Sequence, residues 1–341
     1  MNGRSSRGLA LVIESESAGV TAGTDIGRLG FVHSALIYQS QQEYLESVTR
    51  FVSDGLAMDE AVMVAVPPDK LALLHDALGA GGESPERLWM VDITEAARNP
   101  SRFMAMEGCF VDDHPERRVR VVSQLAWPGR TEEELVACVE HEALINGAMD
   151  GYQVTGLCLY DGSRLGEDML ADARATHPLL WNDDALRRSA DYAPDAALQR
   201  CNRPLPANPG AVTYLVKKST DLSPARSFAT NYAGWVGLSP DGIEDLQLVA
   251  TELASNSLMY TDGACQLAFW RDDGYLVCEA RDTGCFEDPL VGRMDPGPCG
   301  PASRGLYLVN AISDLVRTHT TPSGTTIQAY LRFDPSAGPT G

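Results

Sequence analysis

The chain has 341 residues, with 47 Asp and Glu against 27 Lys and Arg, a formal charge of −20 and a pI near 4.6. Neutralising nucleic-acid phosphates takes clustered Lys and Arg, so so acidic a chain is not expected to bind DNA or RNA directly; proteins or small molecules are the expected partners. The length predicts two domains, and eight cysteines without a Cys-Xaa-Xaa-Cys pair predict reduced thiols, not a disulfide scaffold.

Residues 1–27 are polar and rich in Gly, Ser and Thr, and are expected to be flexible. The apolar run that follows Arg4 and Arg7, residues 9–13, is too short for a signal peptide. No later stretch approaches the roughly 18 apolar residues of a membrane span, so no membrane contact and a cytoplasmic location are expected. From residue 30 to about 180, short apolar runs alternate with amphipathic ones. Strands are predicted over 31–38, 61–66, 88–93, 118–124 and 154–160, and helices over 41–56, 71–78 and 131–149, with Thr131 and Glu134 as a capping box. The run Ala61 to Val66 is apolar without interruption, as a strand buried on both faces should be. Strand alternating with helix predicts a mostly parallel sheet with helices on both faces.

A stretch rich in proline (Pro194, Pro204, Pro206, Pro209) predicts an interdomain linker over 191–210. Beyond it a strand is predicted over 211–216, and a helix starting at Ser223-Pro224. A long helix follows over 241–260. Two hairpins, 265–281 and 315–333, flank an irregular stretch at 286–303 and a helix over 303–313.

Glu252 and Asn256 stand four residues apart on the long helix, hence on one face and one turn apart. A carboxylate can take a proton, and a carboxamide oxygen suits one position on an octahedral Mg²⁺. Asp282 leaves a strand as an acceptor-only side chain fit for an exocyclic amine, and Gly284 lets the backbone pass close to a ring. Gly300 and Gly305 ahead of and within a helix start leave backbone N–H groups for phosphates. In that order the residues describe an ATP·Mg site.

This series resembles the N, G1 and G2 boxes of the GHKL ATPase superfamily, and its compact form is similar to the anti-sigma-factor serine kinases. The resemblance covers about 208–335 and implies a Bergerat α/β sandwich at 211–335, with a flexible tail at 336–341. It implies that Asn256 holds Mg²⁺, that Glu252 is the general base, and that Asp282, with Gly284 and Thr325 beside it, fixes the adenine. Residues 286–303 become the ATP lid, bounded by Gly300 and Gly305, with Arg304 reaching a phosphate and Arg226 contacting a partner protein. It further implies binding of a sigma factor, phosphorylation of a STAS-type anti-anti-sigma factor on serine, and a homodimer. Two departures stand out. The usual Gly-Xaa-Gly-Leu at the lid end is Ser303-Arg304-Gly305-Leu306 here, and Tyr260-Thr261 replaces a His-Thr or His-Ala.

In front, residues 31–38, the helix after them, and Gly156 to Asp161 resemble the MEDS sensory domain, a RecA-like module expected at 28–190 to sense an unknown small-molecule signal. Tyr38-Gln39-Ser40-Gln41 lacks the Gly and Lys of a phosphate-binding loop, which argues against a working P-loop NTPase. His33, Cys158 and Tyr160, on central strands, are the candidates for a ligand or metal site. His141-Glu142 is similar to the start of a phosphoacceptor helix, so a histidine kinase stays open, as does a nucleotide-gated binding module without phosphoryl transfer.

Overall fold

The computed structural model describes residues 30–78, 87–182, 185–297 and 301–334; Gly300 and Cys299, and the expected flexible ends, lie outside the described residues. Two compact units divide the chain: Met1–Ala97 with Met106–Gln199, and Arg98–Ala105 with Arg200–Gly341.

The first unit is built on a seven-stranded sheet of order β3-β2-β4-β5-β1-β6-β7. Its strands are β1 (Val32–Tyr38), β2 (Ala61–Val66), β3 (Leu88–Asp92), β4 (Val119–Ser123), β5 (Val154–Asp161), β6 (Leu179–Asn182) and β7 (Ala185–Arg188). Six pair in parallel and β7 alone runs antiparallel, as a hairpin with β6 at the sheet's edge. The helices are α1 (Gln41–Ala57), α2 (Pro68–Leu78), α3 (Pro100–Asp112), α4 (Glu132–Ala148) and α5 (Glu167–Thr176), with α6 (Pro194–Cys201) after the sheet; the first six residues of α3 and the last two of α6 fall to the second unit. Every residue of β2 and β5 is buried, because crossover helices cover both faces of a parallel sheet. Tyr44, Val48, Phe51 and Val52 on α1 recur at helical spacing and close one face against Leu36, Val64, Val122 and Leu157.

Thr131 caps α4 as expected: its hydroxyl accepts from the Glu134 N–H, and the Glu134 carboxylate accepts from the Thr131 N–H. Thr131→Ala removes that reciprocal pair and costs about 1 kcal/mol locally. Amide exchange in the first turn of α4 should then run faster than in the parent; equal exchange would deny the cap its share of stability.

The second unit holds an antiparallel sheet of order β11-β12-β10-β9-β8, from β8 (Val212–Val216), β9 (Cys265–Asp272), β10 (Tyr275–Asp282), β11 (Leu315–Thr321) and β12 (Gly324–Arg332). Its helices are α7 (Leu222–Val236), α8 (Pro240–Tyr260) and α9 (Pro301–Ile312). Leu246, Val249, Ala250, Leu253 and Ala254 of α8 form its buried stripe, packed on Leu267, Phe269, Leu276 and Ala280 of the sheet. Asp273 and Gly274 take positive φ (29° and 90°) in the two-residue turn that joins β9 to β10.

Three expectations change. The stretch expected as a bare linker contains α6, and Asn202 behind it makes two hydrogen bonds to the backbone of Thr320, so its prolines punctuate ordered chain. The helix expected from Ser223 begins at Leu222, because the Asp221 carboxylate accepts from the N–H groups of Lys217 and Lys218 and forms the turn that starts it. The helix expected from Ser303 already starts at Pro301, so three residues assigned to the irregular stretch belong to α9. No helix among the described residues is long and apolar enough to cross a membrane.

Candidate functional site

Ser239 caps α8 by accepting from the Gly242 N–H, and Pro240 occupies its first turn, where the missing donor costs nothing. Along this helix Glu252 and Asn256 flank the buried stripe and are half-buried, while Ser257 is part of it. The antiparallel register of β10 and β12 sets Asp282 opposite Thr325. Helix and strand end thus bring Asn256, Ser257, Asp282, Gly284 and Thr325 to one pocket of about 630 Å³. That is the size of a small-molecule site, which runs to about 300–1,000 Å³.

The polar end of the pocket is a connected network. The Asp282 carboxylate accepts from the Ser257 hydroxyl at 2.5 Å and from the Gly284 N–H at 2.8 Å. Thr325 donates to the Gly284 carbonyl at 2.8 Å, and Thr320 lies 2.9 Å from Thr325 and accepts from the Phe286 N–H. Each carboxylate oxygen carries two lone pairs, so Asp282 keeps acceptor capacity for an amine beyond these two bonds. Leu253, Ala280, Val291, Leu306 and Ile327 supply apolar walls suited to the faces of a purine.

Gly284 has no room for a side chain: a Cβ there would lie 2.5 Å from the Thr261 methyl. Gly305 is tighter still in its consequence, since a Cβ would stand 2.5 Å from Glu252 Oε2 and 3.5 Å from both amide atoms of Asn256. The N-terminal part of α9 therefore abuts the carboxylate and the carboxamide directly. Glu252 makes no hydrogen bond or ion pair among the described residues, and it stands beside the pocket, not in its wall. Arg304 is exposed and likewise outside the wall. Arg226 is half-buried near the start of α7.

Asn256 tests the fit to Mg²⁺. Its Nδ2 is buried and has no hydrogen-bond partner among the described residues. Rotation about the terminal torsion exchanges Nδ2 with Oδ1, so an orphaned polar position stands where a hard cation would take an oxygen. A carboxylate without a partner one turn away and a glycine cradle against both are consistent with that group.

Sequence reading missed Ser257 and Thr320. Ser257 was within reach of it: it sits 25 residues from Asp282, but it follows Asn256 directly and shares the helix face of Leu253.

In the first unit His33 of β1 and Cys158 of β5 do meet, with Nε2 3.4 Å from Sγ. Tyr160 is buried nearby and stands edge-on to the ring of His177, 5.6 Å between centroids. Two partners were not foreseen: Glu142 of α4, 3.2 Å from His33 and 3.4 Å from Cys158, and His177 at the end of α5. Burial, then the neighbouring His177, lower the pKa of His33 below the usual 6.5. Burial also pushes the Cys158 thiol well up. His141 is 1% exposed and faces Glu107 at 3.5 Å, where a phosphoryl donor has no access.

Comparison with known families assigns both units. A model of the MEDS family, "MEthanogen/methylotroph, DcmR Sensory domain", matches residues 32–178, and a model of the histidine kinase-like ATPase domain matches 215–331. The chain joins a MEDS domain to a GHKL-type ATPase domain. Among curated proteins nothing matches. Of solved structures, the SiaB–SiaC complex from Pseudomonas aeruginosa is similar at 16% identity over 35% of this chain and 88% of that one, with a TM-score of 0.29. The histidine kinase AdeS from Acinetobacter baumannii is similar at 9% identity over 59% and 95%, with a TM-score of 0.24. The MEDS domain supplies the parallel sheet, and the ATPase domain the antiparallel sheet with α8 against it. A domain of this ATPase type implies ATP binding.

Proposed function

We propose that this MEDS–GHKL protein is an anti-sigma regulatory kinase of the cytoplasm, which binds ATP with Mg²⁺ and a sigma factor and phosphorylates a STAS-type partner on serine. The observation that carries the reading is the meeting of Glu252, Asn256 and Gly305 beside a pocket whose far end is the Asp282 network.

In this reading Asp282 accepts the adenine amine, held in place by Ser257 and Gly284. Asn256 holds Mg²⁺, which when bound offsets charge on the phosphate oxygens. Glu252 takes the proton from the incoming serine hydroxyl as that oxygen bonds to the γ-phosphorus and the bond to the β-bridging oxygen breaks, releasing ADP. The phosphoryl transition state is loose, so positioning and charge stabilisation carry most of the rate. Gly305 keeps the start of α9 against these groups. Arg304 serves the phosphates and Arg226 the partner surface. The MEDS domain biases the outcome by a signal of its own.

A second reading is favoured by one observation: α9 is already helical from Pro301, and Ser303 within it stands where the family pattern has the first glycine of the lid end. There the protein binds ATP and changes its partner affinity without transfer. Autophosphorylation at His141 is disfavoured by its burial.

The test is to incubate the full chain with γ-labelled ATP and candidate STAS proteins. Label on a partner serine, lost when that serine becomes Ala, is the expected result. Label on no protein, with partner retention that still depends on ATP, would replace the kinase by the binding module.

A further inference from the structure

Four buried side chains of the MEDS domain converge on one point: His33, Glu142, Cys158 and His177, whose ligand-type atoms all lie within 4.8 Å of one another. Two strands, one helix and the end of another deliver them. In the parallel register of β1 and β5, His33 pairs with Gly156 and Ala35 with Cys158, so His33 and Cys158 point to the same face. Glu142 comes down from α4 and His177 from the end of α5.

The hydrogen bonds behind these residues fix what they present. Asn146 donates through Nδ2 to the carbonyls of Glu142, Ala143 and Thr176, so its Oδ1 is the acceptor that faces His33 Nδ1 at 3.1 Å. His33 therefore carries a proton on Nδ1 and directs Nε2 inward, 3.2 Å from Glu142 Oε2. His177 is held in the same way: its Nδ1 lies 2.8 Å from the Ala173 carbonyl, and its Nε2 lies 3.4 Å from Glu142 Oε2. Two imidazole nitrogens, a carboxylate oxygen and the Cys158 sulfur thus face each other. The two rings lie 4.0 Å apart between centroids, and the set of ligand atoms between them suits a cation.

We infer that the MEDS domain holds one zinc-class divalent transition metal ion between His33 Nε2, Glu142 Oε2, Cys158 Sγ and His177 Nε2. Bond lengths of about 2.0–2.1 Å to nitrogen or oxygen and about 2.3 Å to sulfur make the edges of a tetrahedron about 3.3–3.6 Å long. Four edges here already measure 3.2, 3.4, 3.4 and 3.4 Å: His33 to Glu142, His177 to Glu142, His33 to Cys158, and Glu142 to Cys158. Imidazole with thiolate selects zinc and its neighbours over Mg²⁺ or Ca²⁺. Nδ1–H bonds to a carboxamide and a carbonyl are the outer-shell arrangement that orients metal-bound histidines. Size decides against an organic ligand at the same place. The cavity that adjoins His33, Glu142 and Cys158 is only about 10 Å³, room for one water at most, whereas an ion would sit within the cluster itself. On binding, the thiol proton leaves to solvent and the thiolate bonds the ion.

The full-length chain, stripped with chelator, loaded with Zn²⁺ and passed through gel filtration, should retain about one zinc per chain by mass spectrometry. Co²⁺ in place of zinc should give the intense visible bands of a tetrahedral site and a thiolate-to-cobalt charge-transfer band. Cys158→Ser should abolish that last band, Asn146→Leu should weaken zinc affinity about 10- to 100-fold, and Cys109→Ser, outside the cluster, should change neither. Circular dichroism shows which variants fold, and the cobalt spectrum of the unmodified chain stands without them. Absence of the thiolate band there, no retained zinc, or zinc retained equally by folded Cys158→Ser would overturn the assignment. None of these readouts involves ATP, so the outcome is separate from that of the kinase reading.

Discussion

Glu252→Ala is expected to lower phosphoryl transfer by about 10²- to 10⁴-fold, the usual worth of a positioned base, while ATP affinity stays close to that of the parent. The two effects separate because of where the side chain stands. Its carboxylate lies against Gly305, one helical turn from Asn256, but contributes nothing to the wall of the nucleotide pocket. It has no hydrogen bond or ion pair among the described residues, so its removal frees no buried partner that would disturb the fold. Single-turnover transfer from labelled ATP and equilibrium titration with ATP measure the two quantities on the same preparation. Transfer at the parent's rate would take the base role from Glu252; loss of ATP binding in step with transfer would make it a binding group.

Asp282→Asn should weaken ATP by about 10- to 150-fold, from the roughly 1.5–3 kcal/mol of a hydrogen bond to a charged group. The structure adds a second cost. Both Asp282 oxygens accept from the protein, one from Ser257 and one from the Gly284 N–H. An Asn amide has only one acceptor atom, so its NH₂ must face either the hydroxyl or the backbone N–H, and with Gly284 the opposition is donor to donor. Ser257→Ala, which leaves the carboxylate in place and removes only its support, should cost less. Calorimetric titration of the three proteins ranks them. Equal affinities for Asp282→Asn and the parent would remove Asp282 from the adenine contact.

The arrangement of the ATPase half was legible because its residues are placed by signals local in sequence. Glu252 and Asn256 are one helical turn apart, and Asp282 is the last residue of a strand whose partner across the sheet is Thr325; periodicity and hairpin signals place all four. Ser257 escaped notice because a serine inside a helix is so ordinary that only its distance to Asp282 gives it meaning. The MEDS cluster was half legible. His33 and Cys158 sit on uninterrupted apolar strands, where a polar residue draws attention. Glu142 lies on a helix buried along most of its length, which erases the amphipathic contrast that would mark one face. His177 caps the end of α5 with extended backbone before Pro178, and nothing in its neighbourhood signals that the end of that helix points at a strand 144 residues earlier. The edge hairpin β6–β7 and α6 were missed because a four-residue strand and an eight-residue helix are shorter than the windows in which periodicity can be counted.

One helix, α8, carries the Glu252 carboxylate, the Asn256 carboxamide and the Ser257 hydroxyl that braces Asp282, all within six consecutive positions. A twist of that helix about its own axis sweeps the three through the same angle, and a slide moves them by the same length. In the kinase reading, nucleotide grip and chemical competence therefore share a single mechanical coordinate. Whatever displaces the helix dims both together, so an effector that works through it behaves as a dial on the whole engine and never as a brake on one wheel.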